Sequence, residues 1–194
     1  MKLDIILAGV GGQGILSIAA IIGTAALKNG YYLKQAEVHG MSQRGGDVQS
    51  HLRISDKPIH SDLIPMGECD MILSVEPMES LRYLPYLSPR GWLVTNSKPF
   101  VNIPNYPEMD SVIDEIKKIR NNININADDI AKELGAARSM NMVMLGAASA
   151  FMDIKVDELR TAIRDIFERK GDKVVDSNLK AFDAGLDFSN KNRA

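Results

Sequence analysis

The sequence predicts a three-layer α/β/α sandwich of the Rossmann-like kind, with a mostly parallel sheet and a helical C-terminal segment. Three observations predict it. Short apolar runs alternate with helix-like stretches through the first two thirds of the chain, the signature of α/β folds. The first run, Leu3 to Ala8, is apolar apart from Asp4, as expected of a parallel strand covered on both faces. Gly9-Val10-Gly11-Gly12-Gln13-Gly14 follows it at once and opens the apolar stretch Ile15 to Lys28. Gly9, Gly11 and Gly14 fit the G-x-G-x-x-G spacing of a phosphate-binding strand-to-helix turn.

The elements follow in order. Ile15 to Lys28 is a helix, stopped at Asn29-Gly30, and is apolar nearly all round, so it is buried on more than one side. A sheet covers one side and a partner subunit is a candidate for another. Tyr31 to Glu37 is the second strand, and Val38 to Gly46 a glycine-containing loop. Asp47 to Ile54 alternates, with Val48, Leu52 and Ile54 on one face and Gln49, His51 and Arg53 on the other, as in a half-buried strand. Ser55 to Gly67 is an irregular connection. Asp70 to Val75 is an apolar strand, and Pro77 suits the first turn of a short helix to Tyr83. Ser88-Pro89-Arg90 is a turn before the strand Gly91 to Thr95, and Pro99 to Pro107 is a proline-bearing loop. Met109 to Arg120 has helical spacing, Asn122 to Asn126 is a short strand, and Asp128 to Leu134 is a helix stopped by Gly135. Ser139–Phe151, Val156–Arg169 and Val175–Phe188 close the chain as helices. Residues 1–190 form a single domain, and 191–194 a frayed tail.

Composition narrows the function classes. The chain has 194 residues, 45% of them apolar and 25% charged, with a net charge of −2. No basic excess marks a nucleic-acid surface. No apolar run is long enough for a membrane span, and Asp4 and the glycines argue against a signal peptide, so the expected setting is the cytoplasm. The lone Cys69 can form no internal disulfide and cannot supply the thiolates of an iron–sulfur cluster. No His, Cys or carboxylate set has metal-ligand spacing, and no Walker lysine follows the glycine turn.

Two segments carry the candidate chemistry. The glycine turn offers free N–H groups at a helix start, which suits a phosphate. A second stretch, Glu37 through Gln43, Arg44, Gly45 and Gly46, lies at the carboxyl end of the second strand, the edge that faces the ligand crevice in open α/β sheets. Glu37 follows Gly14 by about 23 residues, near the position of a ribose carboxylate. Arg44 suits a phosphate or carboxylate, and a solvated loop arginine is the plainer reading. His39 is either an acid–base group or a loop hydrogen-bonding residue, and His51 and Arg53 face either the crevice or solvent. Met140, Met144 and Phe151 form a stripe that packs a core or an interface. Asn141 either caps its helix or reaches the crevice. On these residues alone a free-standing NAD(P)-dependent dehydrogenase and a non-enzymatic nucleotide-binding module both stay open. An adenylating enzyme of the ubiquitin-activating type fits less well, because Gln43-Arg44-Gly45 runs in the wrong order for it.

Together the two segments resemble the gamma subunit or domain of 2-oxoacid:ferredoxin oxidoreductases, over almost the whole chain. The resembling residues are Gly9, Gly11, Gly12, Gln13, Gly14, then Glu37, Gly40, Arg44, Gly45, Gly46 and Arg53, then Asn141 and Gly146. Glu37 through Gly46 looks most like the indolepyruvate branch of that family. The resemblance implies an accessory subunit, inactive alone, of an enzyme that decarboxylates a 2-oxoacid oxidatively to an acyl-CoA. It implies a larger alpha subunit that carries thiamine diphosphate, magnesium and iron–sulfur clusters and passes electrons to ferredoxin. This chain has no G-D-G motif to pair with Asn121-Asn122, which agrees with that division. Coenzyme A is the ligand implied for the glycine turn, with Gly9, Gly11, Gly12, Gln13, Gly14, Glu37, Gln43, Arg44, Gly45, Gly46 and Asn141 as candidate binding residues. No residue is assigned a catalytic role, and a homodimer of the isolated chain stays open.

Overall fold

The computed structural model describes residues 1–40 and 45–193. Among these residues six strands form one sheet: β1 (Lys2–Val10), β2 (Tyr32–His39), β3 (Asp47–Ser55), β4 (Cys69–Ser74), β5 (Leu87–Asn96) and β6 (Asn122–Ile125). Their order is β2-β3-β1-β4-β5-β6. β1, β4, β5 and β6 are parallel neighbours, whereas β3 runs antiparallel to both β1 and β2. The helices are α1 (Ile15–Lys28), α2 (Pro77–Arg82), α3 (Met109–Lys117), α4 (Ala127–Glu133), α5 (Met140–Ser149), α6 (Val156–Phe167) and α7 (Asp172–Asn192).

The alternation of β1 divides the core. Leu3, Ile5 and Leu7 point to a large cluster with α1, α4, α5, α6 and α7, while Ile6 and Ala8 point to a smaller one with Tyr83 and α3. These are the two helical layers of the sandwich. α1 is covered on its second side by α6 of the same chain, and only Leu16 and Leu27 among its large apolar side chains stay exposed. Met142 and Met144 are fully buried, so the methionine-rich helix is core.

α5 and α7 cross at backbone contact. A Cβ on Gly146 would lie 1.8 Å from the Phe182 carbonyl oxygen, and one on Gly185 would lie 1.9 Å from that of Val143. Only glycine at both positions permits this approach.

Four expectations are corrected. β2 continues through Val38 and His39, because β3 pairs with it along its whole length and satisfies the backbone groups a loop would leave to solvent. Ser88–Arg90 lies within β5 rather than in a turn; the ladder with β4 shifts register there, between Cys69 and Met71. β3 is covered further than a half-buried strand: beyond its apolar face, which carries Ser50, it buries His51 and leaves Gln49 and Arg53 half-buried. Asn190, Lys191 and Asn192 belong to the last turn of α7, exposed but hydrogen-bonded to the helix.

Candidate functional site

The glycine turn leaves β1 at the carboxyl edge of the sheet. Gly9 is wedged beneath β4, where a Cβ would stand 2.4 Å from Val75 Cγ2. The Gln13 side chain closes the turn: its Oε1 accepts the Val10 N–H at 2.7 Å and its Nε2 donates to the Val75 carbonyl at 3.4 Å. Gln13 therefore acts inside the loop, uniting β1 with the end of β4. Gly12 has a φ of +98° and open space where a side chain would be. Gly14 caps α1 at φ +84°, and its carbonyl accepts from Ser17 and Ile18 and from Asn141 Nδ2 at 3.2 Å. A Cβ on Gly14 would meet Asn141 Nδ2 at 2.4 Å. Asn141 thus binds the turn from behind rather than capping its own helix, in which Ser139 is the N-cap.

The second glycine segment joins the first. The Gly11 N–H donates to the Gly46 carbonyl at 2.9 Å, and Asn102 Nδ2 donates to the Gly45 carbonyl at 2.6 Å. Gln43 and Arg44, two of the candidate ligands, lie outside the described residues. Glu37 stands at the same edge but on β2, with β3 between it and β1. A ribose carboxylate belongs on the strand next to the glycine turn, so the intervening strand removes Glu37 from that role. Its carboxylate instead accepts from Gln35 Nε2 at 3.3 Å and lies beside the His39 ring.

His51 and Arg53 are brought to neither crevice nor solvent. Arg53 pairs with the buried Asp4 at 2.8 Å and donates to the carbonyls of Ser61 and Leu63, near the opposite edge of the sheet. His51 Nδ1 accepts the Ile64 N–H at 3.0 Å, and burial, assisted by Arg53, lowers its pKa. Both fix the connection between β3 and β4. The Cys69 thiol is buried and pushed up to about 12, so it stays protonated and unreactive at neutral pH.

Sequence reasoning missed a buried acid beside the site. Glu76 caps α2 by accepting the Glu79 N–H at 2.8 Å, and it also takes the Phe100 N–H at 3.2 Å and the Tyr106 hydroxyl. Burial and this bond raise the Tyr106 pKa. Glu76 thereby ties down the loop that carries Asn102 to Gly45. The signal was present, an acid before Pro77 with Glu79 three residues on, but that pattern reports a helix start and not its distant partners.

A crevice of about 330 Å³ lies over the turn, lined by Val10, Gly11, Gly12, Leu16, His39 and Val48 among others. Its described lining is mainly apolar and carries no Lys or Arg. It suits an uncharged chain with amide groups better than a polyanion. Among the described residues no three His, Cys, Asp or Glu side chains gather to hold a metal, and no helix is long and apolar enough to cross a membrane.

The fold and the joined glycine segments define a Rossmann-like α/β protein whose crevice opens at the carboxyl edge of the sheet. The chain belongs to the pyruvate ferredoxin/flavodoxin oxidoreductase family, which matches residues 4–188. It is 36% identical over 194 residues to indolepyruvate oxidoreductase subunit IorB of Archaeoglobus fulgidus, covering 95% of this chain and 94% of that one. It is similar in structure to the 2-oxoglutarate:ferredoxin oxidoreductase of Magnetococcus marinus, solved with 2-oxoglutarate, coenzyme A and succinyl-CoA bound. That match has a TM-score of 0.78 and 25% identity, and covers all (100%) of this chain but 32% of the other. The fold also matches pyruvate oxidoreductase subunit PORC of Thermotoga maritima, with a TM-score of 0.74 and 22% identity over 96% of each chain.

Proposed function

We propose that this chain is the accessory subunit of a cytoplasmic 2-oxoacid:ferredoxin oxidoreductase acting on an aryl pyruvate such as indolepyruvate. A larger subunit carries thiamine diphosphate, magnesium and iron–sulfur clusters and reduces ferredoxin. The likeness to an indolepyruvate oxidoreductase subunit over nearly its full length supports the substrate. The lone, buried Cys69 supports the placement of the clusters elsewhere.

In this reading the crevice on the glycine turn receives coenzyme A. The carrying observation is the Gly11-to-Gly46 hydrogen bond, which unites the two glycine segments into one edge of a crevice. Gly12, open to solvent at positive φ, lets a ligand approach the backbone. The apolar lining fits the pantetheine arm, an extended uncharged chain with two amides. Bound coenzyme A supplies the thiol that accepts the acyl group. This chain's residues orient that arm and keep water from it: Gln13 fixes the turn, Asn141 and Asn102 hold its two flanks.

The test is co-expression with a thiamine-dependent large subunit of this enzyme class, followed by isothermal titration with coenzyme A. A stable complex that reduces ferredoxin with indolepyruvate is expected, and the Gly12→Asp variant should weaken coenzyme A binding about tenfold or more by filling the crevice with charge. A chain that remains monomeric beside that subunit would overturn the assignment to such an enzyme. Unchanged affinity in the variant would remove coenzyme A from the turn.

A further inference from the structure

We infer that this subunit holds a second ligand site, for a phosphate-bearing molecule, in the cavity between the start of α1, the connection from α4 to α5, and the start of α7. The cavity measures about 710 Å³, the size range of small-molecule sites. Arg138, Lys170 and Lys173 line it, and no carboxylate does. The chain as a whole is acidic, with a net charge of −2, so three cations without a counter-charge at one cavity are not a consequence of composition. Among the described residues none of the three makes an ion pair, so no protein carboxylate neutralises them. Clustered cations repel one another, and an anion is what relieves that repulsion.

A second observation points the same way. Asn178 lines the cavity and is 5% exposed. Its carboxamide oxygen accepts the Ser139 hydroxyl at 2.8 Å, which fixes the orientation of the group. Its amide nitrogen donates to no protein atom among the described residues. A donor fixed at the cavity wall with no protein acceptor is placed to bond what enters the cavity. Phe167, with the Lys170 ammonium 5.1 Å from its ring centre, and Val174 form an apolar wall on which the body of an organic phosphate can rest. Ser17 and Ser177 add hydroxyl donors.

The contrast with the glycine turn is chemical. The described lining of the crevice there is mainly apolar and without Lys or Arg, and this cavity is cationic, although Gly14 borders both. The assignment requires only an anion of phosphate type, a chemistry that the phosphate end of coenzyme A also carries, and it does not depend on the crevice over the glycine turn holding that molecule. Free polyphosphate and a nucleotide share that chemistry.

The test is titration of the full chain with inorganic pyrophosphate and, separately, with ADP, read by calorimetry and by amide shifts in NMR. Binding of either is expected, with the shifts centred on Arg138, Lys173 and Asn178. ADP binding more tightly than pyrophosphate would mark the esterified anion as the ligand, and the reverse the free one. The exposed Arg138→Glu and Lys173→Glu substitutions should each weaken it about tenfold, the loss of one charge-assisted contact, while Lys118→Glu on the far surface leaves it unchanged. Asn178→Asp should weaken it as well, since a carboxylate at the cavity wall repels the anion. Absence of binding at about 10 mM ligand, or an equal loss in the Lys118→Glu control, would overturn the site. Coenzyme A binding in the Gly12→Asp variant is a separate readout, so the two assignments fail independently.

Discussion

At the scale of single residues, the glycine turn depends on what its neighbours forbid. Gly14→Ala imposes both a left-handed backbone on a residue with a side chain and a contact at 2.4 Å with Asn141. We expect a loss of about 1–3 kcal/mol in chemical denaturation. Adding Asn141→Ala should recover the contact part and leave the backbone part, which a double-mutant cycle resolves. Tyr106→Phe removes one hydrogen bond from the buried Glu76 carboxylate and should cost about 1–3 kcal/mol. If the loop were held by its prolines alone, the variant would unfold as the parent does. His51 gives the molecule a pH dependence of known sign. Burial lowers its folded pKa, so the unfolded chain takes up a proton first, near pH 6.5. The stabilisation from neutral His51 is fully present above that pH and is lost as pH falls below it, toward the folded pKa. Replacement of His51 by Gln should flatten the pH profile of stability between about 7 and 5, measured by denaturant titration.

At the scale of elements, most boundaries were readable because periodicity reports burial directly. α1 begins and ends where Gly14 and Asn29-Gly30 place it. β3 shows where periodicity fails: the polar face of Gln49, His51 and Arg53 reads as facing crevice or solvent, yet His51 is buried and both it and Arg53 are satisfied by protein partners, the Ile64 N–H and Asp4. Alternation cannot distinguish a wet face from a buried polar one. The α5–α7 crossing was equally hidden, since Gly146 in a helical run looks like a weak point. It is the point of closest approach, and Gly146→Ala should separate the helices and cost about 3 kcal/mol or more, seen as a lower Tm. A small effect, under about 0.5 kcal/mol, would mean the helices slide freely. Deleting the chain from Lys191 on, by contrast, removes the exposed side chains of Lys191, Asn192 and Arg193 and should shift stability by less than about 0.5 kcal/mol.

At the scale of the whole molecule, the sequence by itself determined the α/β class, the strand–turn–helix that opens it and the pairing of two glycine segments that marks the family. Local rules suffice for these: apolar runs must be buried, and glycine sits where backbone must turn or approach closely. The tertiary structure alone decided which residues meet. It inserted β3 between β1 and β2 and so took Glu37 away from the turn. It set Asn141 against Gly14, and it bound Gly46 to Gly11 and Asn102 to Gly45. It also gathered Arg138, Lys170 and Lys173 around one cavity from segments that are unremarkable in the sequence. Strand order and helix crossing are set by the sum of many weak long-range contacts, each without a local mark. The chemistry of a site depends on that sum.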